Sequence, residues 1–523
     1  MELEDEILSD KSFSLARIFK SVLLACIIVS ATLAVALPAI SLATSVGLQF
    51  VPLVAVAPDD PAGLTTSSPA CTTPAPVRTS AFIHCYTPSD IYAAYNVAKL
   101  HAQGITGKGQ TIIIVDSYGS PTALQDLQSF SSTFGLSQPD LTIINPTGTP
   151  TFSDSLLGTQ IGWAFETSLD LQWAHTIAPD ARLVLVEANP AETEGVQGFP
   201  SMFLGEQMAI AQYPGSVMSQ SFAVTEQSFC GGSVLVTSCD ASTTQIALFD
   251  QVYQQAVANH VTVFGSSGDT GTANVEFGAG VNFASFIPFP TVNWPSSDPL
   301  VTSAGGTWLQ FGWKWNPTVT TDTFNSCLAS GASFNTCASA YLNFITRNGR
   351  TEAVWKEDWA QIGTGGGRSA LFSTPTFQSS IPSSVLQGRR GLPDVSWNAA
   401  VDGGVLVFTS FPGTRVGWHI IGGTSASSPQ LAGLTALTNQ LAASMGKGPV
   451  GYLNPLLYKL PARDFLDIMP QTFGMAAGIT TLADNSEFGT GIPGMPTTTG
   501  WDLTTGFGTP NAFNFANDLA AAL

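Results

Sequence analysis

"GWAFETSLDLQWAHTIAPDARLVLVEA", residues 162–188, changes its periodicity part-way along. The stretch from about 160 to 176 reads as a helix, and "ARLVLVEA" at 181–188 reads as a buried β-strand. Glu166 and Asp170 stand four apart, so a helix places both carboxylates on one face, one turn apart. Two like charges at that spacing repel, and the ordinary outcome is a solvated surface pair. Trp163, Phe165, Leu169, Leu171 and Trp173 surround them and argue for burial instead. Burial and mutual repulsion both raise a carboxyl pKa, so one of the two would keep its proton.

The same pattern of apolar strand and helix extends on both sides. "GQTIIIVDSYG" (109–119) is a β-branched run ending in a turn, with Asp116 at its end. Further strands are expected at 216–223, 261–269, 300–307 and 404–410, and helices at 87–101, 241–259 and 426–445. Strands uniformly apolar and separated by helices predict an α/β fold with a mainly parallel sheet covered on both faces. Such sheets hold ligands at the carboxyl ends of their strands. Asp269 follows one of these strands in "VTVFGSSGDTGT", where it reads equally well as a turn residue.

"GGTSASSPQ" (422–430) follows a strand and opens an Ala/Leu-rich helix. Ser425 is open to two readings, a helix N-cap or a nucleophile beside free helix N–H groups. A nucleophile needs a base. The five histidines, His84, His101, His175, His260 and His419, lack the context of a catalytic histidine.

Composition narrows the setting. The chain has 523 residues, net charge −19 and only 11% charged residues. With 18 Lys and Arg against 37 Asp and Glu there is no basic stripe for a nucleic acid. In strong acid the carboxylates lose their charge and the few bases limit self-repulsion, which suits an acidic medium; an ordinary secreted protein of low pI has a similar composition. Residues 21–43 carry no charge and follow Lys11, Arg17 and Lys20, so they form either a signal peptide or a transmembrane anchor. Export fits the cysteines. Cys26 lies in the apolar run, and the other six form three close pairs, Cys71/Cys85, Cys230/Cys239 and Cys327/Cys337. Their spacing suits local disulfides better than metal binding, although six cysteines allow 15 connectivities.

Taken in order, "ETSLDL…APDARLVL", "SSGDTG", "VNWPSSDPLVTSAGGT", "EAVW", "GGGRSALFSTPTFQ", "RRGLPDVSWNA", "GGTSASSP", "LNPLLY" and "GWDLTTGFGTP" resemble the sedolisin family, the serine-carboxyl peptidases. The resemblance runs from about Tyr86 to the C-terminus and implies a subtilisin-like three-layer fold. It implies an acid-acting endopeptidase with Ser425 as nucleophile, Glu166 as general base, Asp170 orienting Glu166, and Asp269 donating to the oxyanion. A carboxylate base suits acid, where an imidazole of pKa about 6.5 is already protonated. The resemblance also implies one structural Ca2+ held by Asp467, the carbonyls of Ile468, Thr498 and Gly500, and Asp502, a set of hard oxygen donors. Arg368 in "GGGRS" is a candidate specificity residue.

The expected organisation is a cytosolic tail at 1–20, the apolar segment at 21–43, and a Pro/Thr/Ala-rich linker at 44–80. A catalytic domain follows at 81–523 without the family's long prosegment. The expected protein is monomeric and extracellular, secreted or anchored to the membrane by its N-terminal segment, and it acts on proteins or peptides. Two competing readings are an inactive exported binding or structural relative, and a subtilisin-type enzyme using Asp116 and a histidine.

Overall fold

The computed structural model describes residues 85–152, 157–188, 199–230, 238–241, 246–277, 283–314, 329–331, 345–358, 360–475, 478–486 and 491–523, with short extended pieces at 51–52, 55–56, 75–76 and 82–83. The apolar segment 21–43 therefore lies outside the described residues, as do Cys26, Cys71, Cys327, Cys337 and His84. No helix among the described residues is long and apolar enough to cross a membrane.

Eight strands build the main sheet: β1 (Thr111–Ser117), β2 (Asp140–Ile144), β3 (Arg182–Ala188), β4 (Val217–Gln220), β5 (Thr262–Ser266), β6 (Thr302–Lys314), β7 (Ile345–Val354) and β8 (Val395–Asn398). Their spatial order is β7-β6-β5-β4-β1-β3-β2, with β8 also paired to β6. Every pairing is parallel except β6 with β7. The physical cause is visible in β1. Ile112 and Ile114 face one hydrophobic cluster while Ile113 and Val115 face the other. A strand buried on both faces must be apolar throughout, and the helices that cover it supply the crossovers that parallel strands need.

The helices are α1 (Ala123–Phe134), α2 (Leu157–Ile177), α3 (Phe199–Gln212), α4 (Ile246–Ala258), α5 (Thr424–Ser444) and α6 (Ala512–Ala522). Residues of α2, α5 and α6 pack with Ile112 and Ile114. Residues of α3 and α4 pack with Ile113 and Val115. This gives the expected three layers. The chain reverses direction across the sheet after β3, so β1 and β4 lie side by side at the switch point, where the carboxyl ends of parallel strands leave a crevice.

Several expected elements differ in detail. Residues 87–101 form two helices, Pro88–Tyr95 and Val97–His101, broken at Asn96 with φ 62°. The cap of the first is Thr87, whose N–H donates to Asp90 Oδ2 at 2.8 Å. The strand expected at 216–223 is interrupted at Ser221, giving β4 and a separate strand Phe222–Thr225. β6 is longer than expected because it continues as an antiparallel ribbon with β7. Cys230 and Cys239 form the expected local disulfide, and Cys85 is disulfide-bonded as well.

Residues of the expected linker also meet the sheet edges. Val51–Pro52 pairs antiparallel with Phe222 and Ala223, and Ala55–Val56 pairs antiparallel with Ile421 and Gly422 of the strand Gly417–Gly422.

Candidate active site

Four carboxyl groups and one hydroxyl converge at the switch point. Asp116 is the penultimate residue of β1, Ser221 follows β4, and Asp269 follows β5. Glu166 and Asp170 come from α2, which packs along α5. Ser425 is the second residue of α5, so it is not the cap; Gly423 takes that position with φ 106°. A side chain at Gly422 is excluded too, because its Cβ would lie 2.5 Å from the Ala399 carbonyl oxygen. The glycines thus allow the sharp strand-to-helix turn that presents Ser425 beside the free N–H groups of the helix. Pro429, one turn on, cannot donate to the Ser425 carbonyl.

Glu166, Asp170, Asp116 and Ser425 are wholly buried, whereas Asp269 retains 9% exposure. Burial raises the Glu166 pKa well above the ordinary carboxyl range, and Asp170, Asp116 and Asp269 raise it further. The Ser425 hydroxyl opposes them by favouring the Glu166 carboxylate, as expected of a donor facing it. Neither Ser425 Oγ nor the Glu166 oxygens make a hydrogen bond of ordinary geometry. Such contacts are commonly loose before substrate binds.

Asp170 is also pushed well up, first by burial and then by Asp116, while Ser221 Oγ donates to its Oδ1 at 3.0 Å. Burial lifts Asp116 to about 8. Three mutually repelling buried carboxyls cannot all be ionised, so their protons are shared among them. Asp269 is raised to about 7, again by burial. Its Oδ1 accepts both the N–H and the Oγ1–H of Thr424, each at 2.8 Å.

The four predicted catalytic residues are thus brought together. Three contributors were not identified by the sequence reading: Ser221, Thr424, and Asp116 as part of the carboxylate group. Asp116 had been weighed only as partner to a histidine. Its position at the carboxyl end of a buried strand was the available signal; Ser221 and Thr424 carry no signal of their own. Among the described residues His101 meets the Ile177 carbonyl, His175 the Ser137 carbonyl and His419 the Arg415 carbonyl, and no histidine is among the groups that shift the four carboxyls.

Of the residues expected around calcium, Asp467 contacts Gly500 and Asp502 contacts Thr498. Gly500 N–H donates to Asp467 Oδ2 at 2.9 Å, joining the two segments. Asp502 Oδ1 accepts the N–H groups of Thr504 and Thr505, and its Oδ2 accepts that of Thr498. Carboxylates and carbonyls are the donors a hard cation takes, whereas here Asp467 and Asp502 each accept backbone N–H groups. No cluster of three or more His, Cys, Asp or Glu side chains arranged for a metal occurs among the described residues. Arg368 is committed locally, its Nε donating to the Val385 carbonyl at 2.6 Å.

Comparison with known proteins converges on one family. No family model matches the chain. It is 28% identical to kumamolisin of Bacillus sp. (strain MN-32) over 437 residues, covering 81% of this chain and 62% of that protein. It is 26% identical to sedolisin of Pseudomonas sp. (strain 101), covering 77% of this chain and 56% of that protein. The structure of Pseudomonas sedolisin, a serine-carboxyl proteinase complexed with two molecules of pseudo-iodotyrostatin, superposes with a TM-score of 0.58 at 24% identity, covering 84% of this chain and 99% of that one. The chain is similar to members of the sedolisin family in sequence and shares the fold of one of them. The subtilisin-like architecture expected from the sequence is that of this sedolisin. The chain spans only about half to three-fifths of the length of the full-length relatives it matches. Tripeptidyl-peptidase 1 of Dictyostelium discoideum, at 26% identity, is among them.

Proposed function

We propose that this chain is a serine-carboxyl endopeptidase that hydrolyses peptide bonds of proteins in acid. The reading is carried by Ser425, held at a helix N-terminus against the Glu166 carboxyl, with no histidine acting there among the described residues. Ser425 Oγ attacks the substrate carbonyl carbon and its proton passes to the Glu166 carboxylate. Asp170, held by Ser221, orients Glu166 and shares its charge. The tetrahedral oxyanion accepts a hydrogen bond from protonated Asp269 and another from the Ser425 N–H. Glu166 then returns the proton to the leaving amine, and the acyl group stays on Ser425. Water attacks the ester, giving its proton to Glu166, and the serine is released with the proton restored. Burial raises the Glu166 pKa, so its carboxylate is a stronger base than a surface glutamate's but a smaller fraction is ionised in acid, and the Ser425 hydroxyl favours that ionised form.

Substrate would lie extended on the edges of the strands Phe222–Thr225 and Gly417–Gly422, the edges that residues 51–52 and 55–56 cover. That coverage also favours a second reading, an exported relative of the same fold that binds without cutting. One structural Ca2+ would be held by Asp467, Asp502 and the carbonyls of Ile468, Thr498 and Gly500, stiffening the C-terminal loops. Export, with residues 21–43 as signal or anchor, and a monomeric state complete the proposal. The test is cleavage of a denatured protein between pH 2 and 8 by the chain and by Ser425→Ala and Glu166→Gln. Acid cleavage abolished in both variants supports the enzyme. Cleavage unchanged in either variant rejects this mechanism, and a chain that never cleaves, even without residues 1–56, leaves the binding protein.

A further inference from the structure

Thr424, the residue before the nucleophile, is held at three atoms. Its N–H donates to Asp269 Oδ1 at 2.8 Å. Its Oγ1 accepts the Gly268 N–H at 3.1 Å and so turns its single proton onto Asp269 Oδ1, also at 2.8 Å. Its carbonyl accepts from Ser266 Oγ at 3.1 Å. The turn that carries Asp269 is fixed from the other side: the carbonyls of Gly268 and Asp269 accept the N–H groups of Gly365 and Gly363 at 2.7 and 2.8 Å. Gly268 has φ 113°, and a Cβ there would sit 2.3 Å from Asn293 Nδ2, so no other residue fits.

A carboxyl oxygen that already accepts two hydrogen bonds has both lone pairs engaged and has no place for a proton. The acid proton of Asp269 must therefore sit on Oδ2. We infer that Thr424 is a positioning residue that assigns the Asp269 proton to Oδ2, so that the acid donates to the oxyanion instead of turning its proton into the protein. This rests on the proposed peptidase reading and adds a residue to it. One loop then positions two functions, because Thr424 orders the acid while its neighbour Ser425 supplies the nucleophile. The charged or titratable group acting across the site is Glu166, with Asp170 and Asp116 behind it on α2 and β1.

The test is Thr424→Val, with Thr424→Ala as the smaller replacement and Thr424→Ser as the rescue. With a peptide substrate, kcat should fall roughly tenfold to a hundredfold in the Val and Ala variants while KM changes little, and Ser should restore it. The lost donor favoured the Asp269 carboxylate, so its removal should move the Asp269 titration to higher pH. That titration is read directly by difference infrared spectroscopy of the protonated carboxyl, with Asp269→Asn as the reference. A merely structural role would lower thermal stability and leave the midpoint in place. An unchanged midpoint in both Val and Ala variants overturns the inference. If the wild-type chain does not cleave, the peptidase reading fails while the infrared titration still decides the role of Thr424.

Discussion

Gly433 of α5 lies against Ile177 of α2 so closely that a Cβ on Gly433 would fall 2.7 Å from Ile177 Cβ and 3.2 Å from the Ala174 carbonyl oxygen. The crossing brings together the helix that carries Ser425 and the helix that carries Glu166 and Asp170. Gly433→Ala gains helix propensity of about 1 kcal/mol but forces the helices apart, at a cost of about 1–3 kcal/mol for overpacking. The expected outcome is a small net loss of stability in thermal unfolding with a much larger loss of kcat. Wild-type kcat in this variant would show that the crossing does not set the site.

Burial raises the pKa of the carboxyls of Glu166, Asp170, Asp116, Asp269 and Glu206, the last two to about 7 and about 8. A folded-state pKa above the unfolded value means that the unfolded chain ionises first. The stability held by the neutral acids is complete below about pH 4 and is lost as pH rises through 7 to 8. Melting temperature should therefore decline across that range. Glu206 lies outside the site, on α3, with Gln220 Nε2 donating to its Oε1 at 2.8 Å. Glu206→Gln keeps that contact and should recover on the order of 4 kcal/mol at pH 8. An equal melting temperature of variant and wild type at pH 8 would count against the account.

Activity should follow the Asp269 proton. With its pKa raised to about 7, Asp269 donates below that pH and loses the ability above it. Peptidase activity is expected to fall as pH passes 7, and Asp269→Asn should lower kcat roughly 100-fold or more. Full activity at pH 8 in the folded wild-type chain would contradict an acid donor at this position.

Residues 51–52 and 55–56 pair with the strands Phe222–Thr225 and Gly417–Gly422, the second of which leads into the turn before Ser425. Removing residues 1–56 should raise kcat/KM on peptides, and a synthetic peptide of residues 46–58 should compete with substrate. No gain on removal, with no inhibition by the peptide, would mean that these edges do not hold substrate.

Asp467 meets the 498–502 loop through the Gly500 N–H. Added Ca2+ should raise the melting temperature of the wild-type chain and a chelator should reverse it. Asp467→Ala should remove the response; a response that persists places the ion elsewhere.

The order of strands and helices was legible because the pattern is local. "TIIIV" reads as a strand apolar on both faces, and the four-residue spacing of Glu166 and Asp170 is a property of any helix. Residue types marked Ser425 and Asp269 as candidates, and resemblance assigned their roles. The break at Asn96 and the interruption at Ser221 were missed because each depends on one backbone angle or one pairing, which periodicity does not report.

By itself, then, the sequence determined an α/β chain poor in charge with two carboxylates one helical turn apart, and their roles came only with the resemblance. Only the tertiary structure decided which groups share one site. Thr424 and Asp269 stand 155 residues apart, and Ser221 and Asp170 stand 51 apart. Their contacts exist because parallel strands deliver their carboxyl ends to the same edge and two helices cross over it. Burial there, which the apolar neighbours of Glu166 and Asp170 suggested and the packed helices and sheet complete, turns ordinary carboxyls into groups that hold protons toward neutral pH.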